Sequence, residues 1–120
     1  MSAKKTGQQT AVLASPPTIL CAGNVVGRME GEGPLAACFD YVDQDDTFGE
    51  ATWEQSERAM QQKALALALQ KGGLTAQQLD YLFAGDLLNQ CVSSSYAARE
   101  QKIPFFGLYG ACPTFGEGLI

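Results

Sequence analysis

The sequence contains no histidine, and this absence removes the commonest general base and the commonest protein ligand of transition metals. Basic residues are also scarce: 8 Lys and Arg stand against 13 Asp and Glu, for a net charge of −5. Because nucleic-acid-binding surfaces are normally basic, this charge balance argues against a nucleic-acid partner.

Two further shortages narrow the class of protein. No apolar run approaches the roughly 18 residues of a membrane-spanning helix, and the run at 11–14 is too short for the core of a signal peptide. The cysteines lack the close spacing of a zinc or redox motif and the density of a disulfide framework; they are Cys21, Cys38, Cys91 and Cys112. We therefore expect a protein of cytoplasmic origin with reduced thiols, no metal site and no anchor of its own.

What is present is the composition of a globular protein. Hydrophobic residues make up 46% and charged residues 18% of the 120 residues, which is room for one domain or less. Residues 1–16 are polar and reach a Pro-Pro pair, which predicts a flexible N-terminal segment. Residues 17–120 are predicted to form the folded part.

Strand and helix patterns alternate along the folded part. Short apolar runs predict buried strands at residues 18–22, 80–85 and 105–108. Capping and apolar patterns predict helices from Thr52 to about Lys71, from Ser93–Ser95 to about Lys102, and from Thr114 onward. Residues 27–50 predict a long loop with one helical turn near 35–39. Such alternation is typical of an α/β fold with right-handed crossovers and a layered sheet.

The end of the chain places a thiol in a suggestive position. Residues 105–110 run from an apolar strand into glycine, and Cys112 follows just before Pro113 and Thr114, which can open a helix. A thiol at a strand-to-helix turn beside a helix N-terminus is typical of a nucleophile or of a residue that lines a pocket. The alternative is a small buried residue that closes a tight turn.

A second group of polar residues follows the strand predicted at 80–85. Asp86, Asn89 and Gln90 come directly after it, and ligands of open α/β sheets bind at the carboxyl ends of the strands. These side chains are therefore candidates for lining a ligand pocket together with Cys112. Equally, Asp86 and Asn89 can satisfy backbone donors within a turn.

Five acidic residues between 40 and 50 invite a calcium interpretation. If Asp43 and Asp45 are set at the first and third positions of a helix-loop-helix calcium loop, Phe48 occupies the sixth position, where glycine is required. The match fails, and a solvated acidic loop is predicted instead.

Several segments together resemble the stage V sporulation protein AD family, the thiolase-like members of the sporulation apparatus of endospore-forming bacteria. The resemblance extends over nearly the whole chain from Pro17 and is carried by residues 30–35, 39–40, 48–49, 53–54, 85–90, 97–100 and 109–112. It implies a thiolase-like fold, in which two similar α/β halves pack into a layered αβαβα body. The chain would then be part of the N-terminal half, truncated after the turn at Cys112.

The resemblance also implies a function. It implies binding of dipicolinic acid, with calcium or as its calcium chelate, and support of its uptake into the developing spore. It implies a peripheral position on the inner spore membrane beside other stage V sporulation membrane proteins, and a homodimer in the full-length form. Cys112 matches the place of the thiolase nucleophile, and Pro113 stands where the family usually has serine.

Two alternatives to dipicolinate binding remain open. One is an acyltransferase of the thiolase or ketoacyl-synthase type that uses Cys112 as its nucleophile. The resemblance implies that such chemistry takes His or Asn partners from a second half, so that this chain alone should lack acyl transfer and Cys112 would be a vestigial position. The other is a scaffold that binds membrane partners and no small molecule.

Overall fold

The computed structural model describes residues 3–120, and within that range the chain alternates short strands with helices. The strands are β1 (Ala3–Thr6), β2 (Thr10–Leu13), β3 (Val25–Val26), β4 (Tyr41–Val42), β5 (Leu82–Ala84) and β6 (Phe105–Gly107). The α-helices are α1 (Arg28–Gly31), α2 (Trp53–Gly72), α3 (Val92–Gln101) and α4 (Thr114–Gly118). No helix in this range is both long and apolar enough to cross a membrane. The alternation confirms the predicted α/β class.

Helix α2 begins and ends where its sequence signals predict. The hydroxyl of Thr52 accepts a hydrogen bond from the backbone N–H of Gln55 at 3.3 Å and caps the first turn. At the other end Gly73 takes the left-handed conformation with φ 62°, and the N–H of Leu74 bonds to the carbonyl of Leu69 at 2.9 Å. Glycine adopts this conformation without a steric penalty, so the helix terminates there.

Strands β5 and β6 form a parallel pair joined through α3, as predicted. The register sets Leu82 opposite Phe105 and Ala84 opposite Gly107. Helix α3 packs against both α2 and β6. Because the two strands run in the same direction, the loops that follow them leave from the same edge of the sheet.

Small side chains on α3 allow that helix to pack closely in the interior. Ala97 and Ala98 on α3 are buried, and so are Ser93 and Ser94 in its first turn. A residue with no side chain serves the same purpose where the segment before β3 meets α2: a β-carbon on Gly23 would lie 2.7 Å from backbone atoms of that helix. The core is therefore built around the contacts of α2 rather than around a large sheet.

The prediction of a buried strand at 18–22 is wrong. These residues have no strand partner within the described range, and Ile19 and Leu20 are exposed. The parallel pair of this region is β3 with β4, in which Val25 lies opposite Tyr41. An apolar run favours an extended backbone, but a strand also needs a partner, and the close contact of Gly23 with α2 holds this segment against a helix instead.

The predicted loop at 27–50 is partly ordered. The helical turn expected near 35–39 is present as a 3₁₀ turn at Ala36–Cys38. Helix α1 and strand β4 also lie in this stretch and were not predicted, because elements of four and two residues carry no detectable hydrophobic period.

The first part of the chain has regular structure that its polar sequence does not indicate. From Ala3 onward, β1 and β2 form an antiparallel hairpin, with Gly7 in the left-handed conformation at the turn. The first two residues of the segment predicted to be flexible lie outside the described residues, and every side chain at 4–16 is exposed. The hairpin is regular structure that the sequence does not indicate; the flexibility of this segment and the domain boundary at residue 16 stay predictions.

One face of the β5–β6 pair remains open to solvent. Tyr81, Phe83 and Phe106 cluster there and are each more than half exposed; the Phe106 ring lies 5.3 Å from that of Phe83 and 5.5 Å from that of Tyr81. The accessible surface of the chain is 8760 Å², against about 6,300 Å² for a typical monomer of this mass. The fold therefore leaves far more surface uncovered than a compact monomer does.

Candidate functional site

The loops that follow β5 and β6 meet at one edge of the sheet. The N–H of Leu108 donates to the carbonyl of Ala84 at 2.9 Å and extends the ladder by one bond beyond the strands. Gly85 lies so close to this turn that a β-carbon would collide with the carbonyl oxygen of Leu108 and lie 2.8 Å from the methyl group of Thr114. Only glycine permits the two loops to approach this closely.

These two loops enclose a pocket of about 410 Å³, lined by Asp86, Leu87, Leu88, Gln90, Tyr109, Gly110 and Ala111. Two of the residues predicted to line a pocket, Asp86 and Gln90, are therefore part of its wall. Asn89 is not, and its carbonyl accepts a hydrogen bond from the N–H of Val92 at 3.0 Å. Cys112 follows the lining residue Ala111 directly and is exposed. The predicted residues thus lie together, although only two of them form the pocket wall.

The Asp86 carboxylate caps the N-terminus of α3. Its Oδ1 accepts from the N–H of Cys91 at 2.9 Å, and its Oδ2 accepts from the N–H and the hydroxyl of Ser94 at 2.9 and 2.8 Å. The sequence predicts a cap from Ser93–Ser95, but the helix begins at Val92 and the cap comes from a residue in the preceding loop. Asp86 therefore satisfies backbone donors, as in the alternative interpretation, and also lines the pocket.

Burial and hydrogen bonding act in opposite directions on this carboxyl group. Burial of Asp86 raises its pKa, but the hydrogen bonds from Ser94, Cys91 and Asn89 outweigh that effect and hold the pKa below its usual value of 3.8. The group is therefore ionised at neutral pH and places a fixed negative charge in the pocket wall.

Backbone strain concentrates in the same two loops. Gln90, Cys91 and Ala111 adopt the left-handed conformation, with φ values of 51°, 69° and 49°. Residues other than glycine enter this region at a cost of about 1–3 kcal/mol each and persist there when the surroundings hold them. Such positions cluster at ligand-binding and active sites, which supports a functional role for this edge of the sheet.

Cys112 lies at the turn between β6 and α4, as predicted. Its thiol is exposed, and the helix that follows begins at Thr114, as the Pro-Thr pair indicates. The geometry therefore favours an accessible thiol over a small residue buried in a turn. All four cysteines are free thiols.

A second cavity was not predicted. It has a volume of about 480 Å³ between α2, α3, β5 and α4. Its wall is mainly apolar and includes Leu65, Phe83 and Phe115, while Thr114 Oγ1 and Gln62 Nε2 are buried there without a hydrogen-bond partner within the described range. Its lining comes from segments far apart in the sequence, so no local pattern reveals it.

The acidic loop at 43–50 has a different organisation. The Asp45 carboxylate accepts from the N–H of Thr47 at 3.2 Å, from its hydroxyl at 2.7 Å and from the N–H of Gly49 at 3.1 Å. These bonds with Thr47, above all the one from its hydroxyl, lower the pKa of Asp45. Across residues 3–120, no group of three or more His, Cys, Asp or Glu side chains is arranged to hold a metal ion.

Comparison with known proteins matches almost the whole chain. The family model described as Stage V sporulation protein AD (SpoVAD) matches residues 7–120. The stage V sporulation protein AD of Bacillus subtilis (strain 168) is 43% identical over 114 residues, which cover 95% of this chain and 34% of that relative. The chain therefore spans about a third of the length of the curated relative that it matches.

Proposed function

The chain belongs to the stage V sporulation protein AD family, and on that premise we propose that it supplies one wall of a binding site for dipicolinic acid during loading of the developing spore. The family gives it a role in sporulation. The observation that carries the finer proposal is the pocket between the two strand ends, where Asp86 and Gln90 meet the turn that leads to Cys112.

The chemistry of the pocket suits a flat aromatic ligand with polar substituents. Tyr109 offers a largely exposed ring against which a planar heterocycle can stack. Gln90 offers an amide donor and acceptor, and the backbone of the turn at Gly110 and Ala111 borders the same space.

The charge of the wall favours the calcium chelate over the free dianion. Asp86 is the only charged residue of the described lining, and it is negative. A free dianion would be repelled by it, whereas bound calcium offsets the charge of the ligand and removes that repulsion. Donors from the remainder of a full-length protein would complete the site, because this chain spans about a third of its relative.

Titration calorimetry on a full-length protein that contains this chain tests the proposal. Dipicolinate with calcium should bind with roughly micromolar affinity, as expected for a few charge-assisted hydrogen bonds. Cys112→Trp should weaken binding about tenfold or more, because the indole would fill the space beside Ala111. The matched control is Cys38→Trp, at an exposed thiol outside the pocket lining, which should bind like the wild type.

Two results would contradict the proposal: a correctly folded full-length protein that does not bind, or equal effects of the two tryptophan substitutions. The same samples test the acyltransferase alternative. Transfer from an acyl thioester that disappears in Cys112→Ser would establish that chemistry. A protein that shows neither activity but retains its membrane partners would be the scaffold.

Peripheral attachment to the inner spore membrane, partner membrane proteins of the same stage and a full-length homodimer belong to this proposal. They rest on the family alone, and fractionation of sporulating cells tests the first of them.

A further inference from the structure

Two contacts link the loop after β5 to the turn after β6. The N–H of Cys91 donates to Asp86 at 2.9 Å, and the thiol of Cys91 donates to the carbonyl of Leu108 at 3.3 Å. Leu108 is the first residue beyond β6, and the turn that ends at Cys112 starts there. One residue therefore contacts both sides of the pocket.

The start of the first loop is held from a different direction. The side chain of Gln61 donates to the carbonyl of Gly85 at 3.2 Å, and the N–H of Leu87 donates to the carboxylate of Glu57 at 2.9 Å. Both partners lie on α2. Within the described range, α2 makes no hydrogen bond to the corner at Gln90 and Cys91, where the backbone is left-handed.

We propose that Asp86 is the positioning residue of the pocket and acts through Cys91: its carboxylate fixes the left-handed corner, and the Cys91 thiol then fixes the turn that presents Cys112. Two consecutive left-handed residues are unfavourable without such a constraint. The Asp86 carboxylate supplies the constraint by accepting the N–H of Cys91 at one end and the N–H of Ser94 at the other. The thiol is half-buried and lies beside the end of β6, where a β-carbon on Gly107 would be 3.4 Å from its sulfur.

A simple capping role makes a different prediction from a positioning role. If Asp86 only stabilises α3, its loss should affect the first turn of that helix and leave the opposite side of the pocket unchanged. If it positions the pocket, its loss should also loosen residues 108–112, to which its carboxylate makes no hydrogen bond within the described range. The importance of this coupling for ligand binding rests on the proposed function, but the coupling itself is measured without ligand.

Native-state hydrogen exchange of the full chain, followed by mass spectrometry, separates the two roles. Asp86→Asn should speed exchange in the first turn of α3 by roughly fivefold and at 108–112 by roughly threefold, the same factor as loss of the Cys91 thiol. Cys91→Ala should speed exchange at 108–112 by roughly threefold and leave the first turn of α3 near the wild-type rate. Cys91→Ser, which keeps a donor at the same position, should restore at least part of the protection.

Ser94→Ala is the matched control, because it removes one hydrogen bond to Asp86 without touching the contacts of Cys91. It should affect the first turn of α3 alone. Combining Asp86→Asn with Cys91→Ala should add nothing at 108–112, since both act through one path. Either of two results would overturn the proposal. One is a wild-type exchange rate at 108–112 in folded Cys91→Ala; the other is an exchange rate there that rises as much in Ser94→Ala as in Cys91→Ala. If Asp86→Asn does not fold, the Cys91 pair and Ser94→Ala still decide the outcome.

Discussion

Asp45 and Asp86 both lie in turn-rich loops and both accept hydrogen bonds from backbone N–H groups, yet they hold together different parts of the molecule. The carboxylate of Asp45 accepts hydrogen bonds from its own loop, from residues two and four positions later. Asp86 is buried, and its carboxylate accepts hydrogen bonds from the N–H groups of Cys91 and Ser94 at the start of α3. The thiol of Cys91 in turn donates to the carbonyl of Leu108, just beyond the end of β6. The same side chain therefore acts locally in one loop and between elements in the other.

The difference has a physical consequence for each loop. Around Asp45 the donors are exposed, and water can replace the carboxylate if it is lost. Around Asp86 the donor groups of Ser94 are buried, so their loss of a partner costs the full penalty of an unsatisfied polar group. Three measurements of stability compare the two loops: substitution of a glycine in each loop, substitution of each aspartate, and variation of the pH.

The largest expected effect is at the glycines. Gly85→Ala should cost about 3 kcal/mol of unfolding free energy, because its methyl group would collide with backbone and force the two loops apart. The matched change in the acidic loop, Gly49→Ala, meets no atom within 4 Å and should cost about 1 kcal/mol from its left-handed φ of 73° alone. Urea unfolding of both variants gives the comparison. Equal costs would show that the close approach at Gly85 can relax.

A smaller effect is expected at the aspartates. Asp86→Ala should cost about 2 kcal/mol, since it removes the cap of α3 and leaves buried donors without an acceptor. Asp45→Ala should destabilise the protein less, because its donors remain in contact with water. Thermal unfolding of the two variants beside the wild type measures the difference. A larger loss for Asp45→Ala would reverse the comparison.

The smallest effect is the pH dependence. Both carboxyl groups have a pKa lowered from 3.8, so each contributes stability that is present above about that pH and is lost as the pH falls through the folded-state pKa. Below 3.8 the unfolded chain binds more protons, and the free energy of unfolding therefore falls with acid. Asp86→Asn and Asp45→Asn should each reduce the fall in the free energy of unfolding when it is measured between pH 6 and 2. If the free energy of unfolding falls equally steeply with acid in the wild type and in Asp86→Asn, the ionised form of Asp86 does not stabilise the fold.

Local signals in the sequence predicted the elements that are long or strongly capped. The Thr52 cap, the glycine stop after Gly72 and the strand–helix–strand unit from β5 to β6 all follow from short-range rules, and so does the meeting of the loops after two parallel strands. The prediction of a strand at 18–22 is wrong, because pairing with a second strand depends on where the rest of the chain lies.

The role of Asp86 shows the same limit within the site. Its position after a strand is visible in the sequence, and so is its capacity to accept hydrogen bonds. That it caps a helix beginning six residues later depends on the left-handed corner at Gln90 and Cys91, residue types that carry no preference for this conformation. The contact from Cys91 to Leu108 spans 17 residues and has no local signature at all.

The open aromatic face has a consequence for the heat capacity of the protein. Within the described range the buried apolar residues are Ala97, Ala98 and Ile103. Folded proteins usually change their heat capacity on unfolding by about 12–15 cal/mol/K per residue, largely through apolar burial. This chain by itself should therefore unfold with a smaller heat capacity change and a flatter stability curve than its length suggests. Polypeptide that covered Tyr81, Phe83 and Phe106 would bury this apolar surface and raise the heat capacity change, so that this calorimetric quantity measures how far the aromatic face is covered.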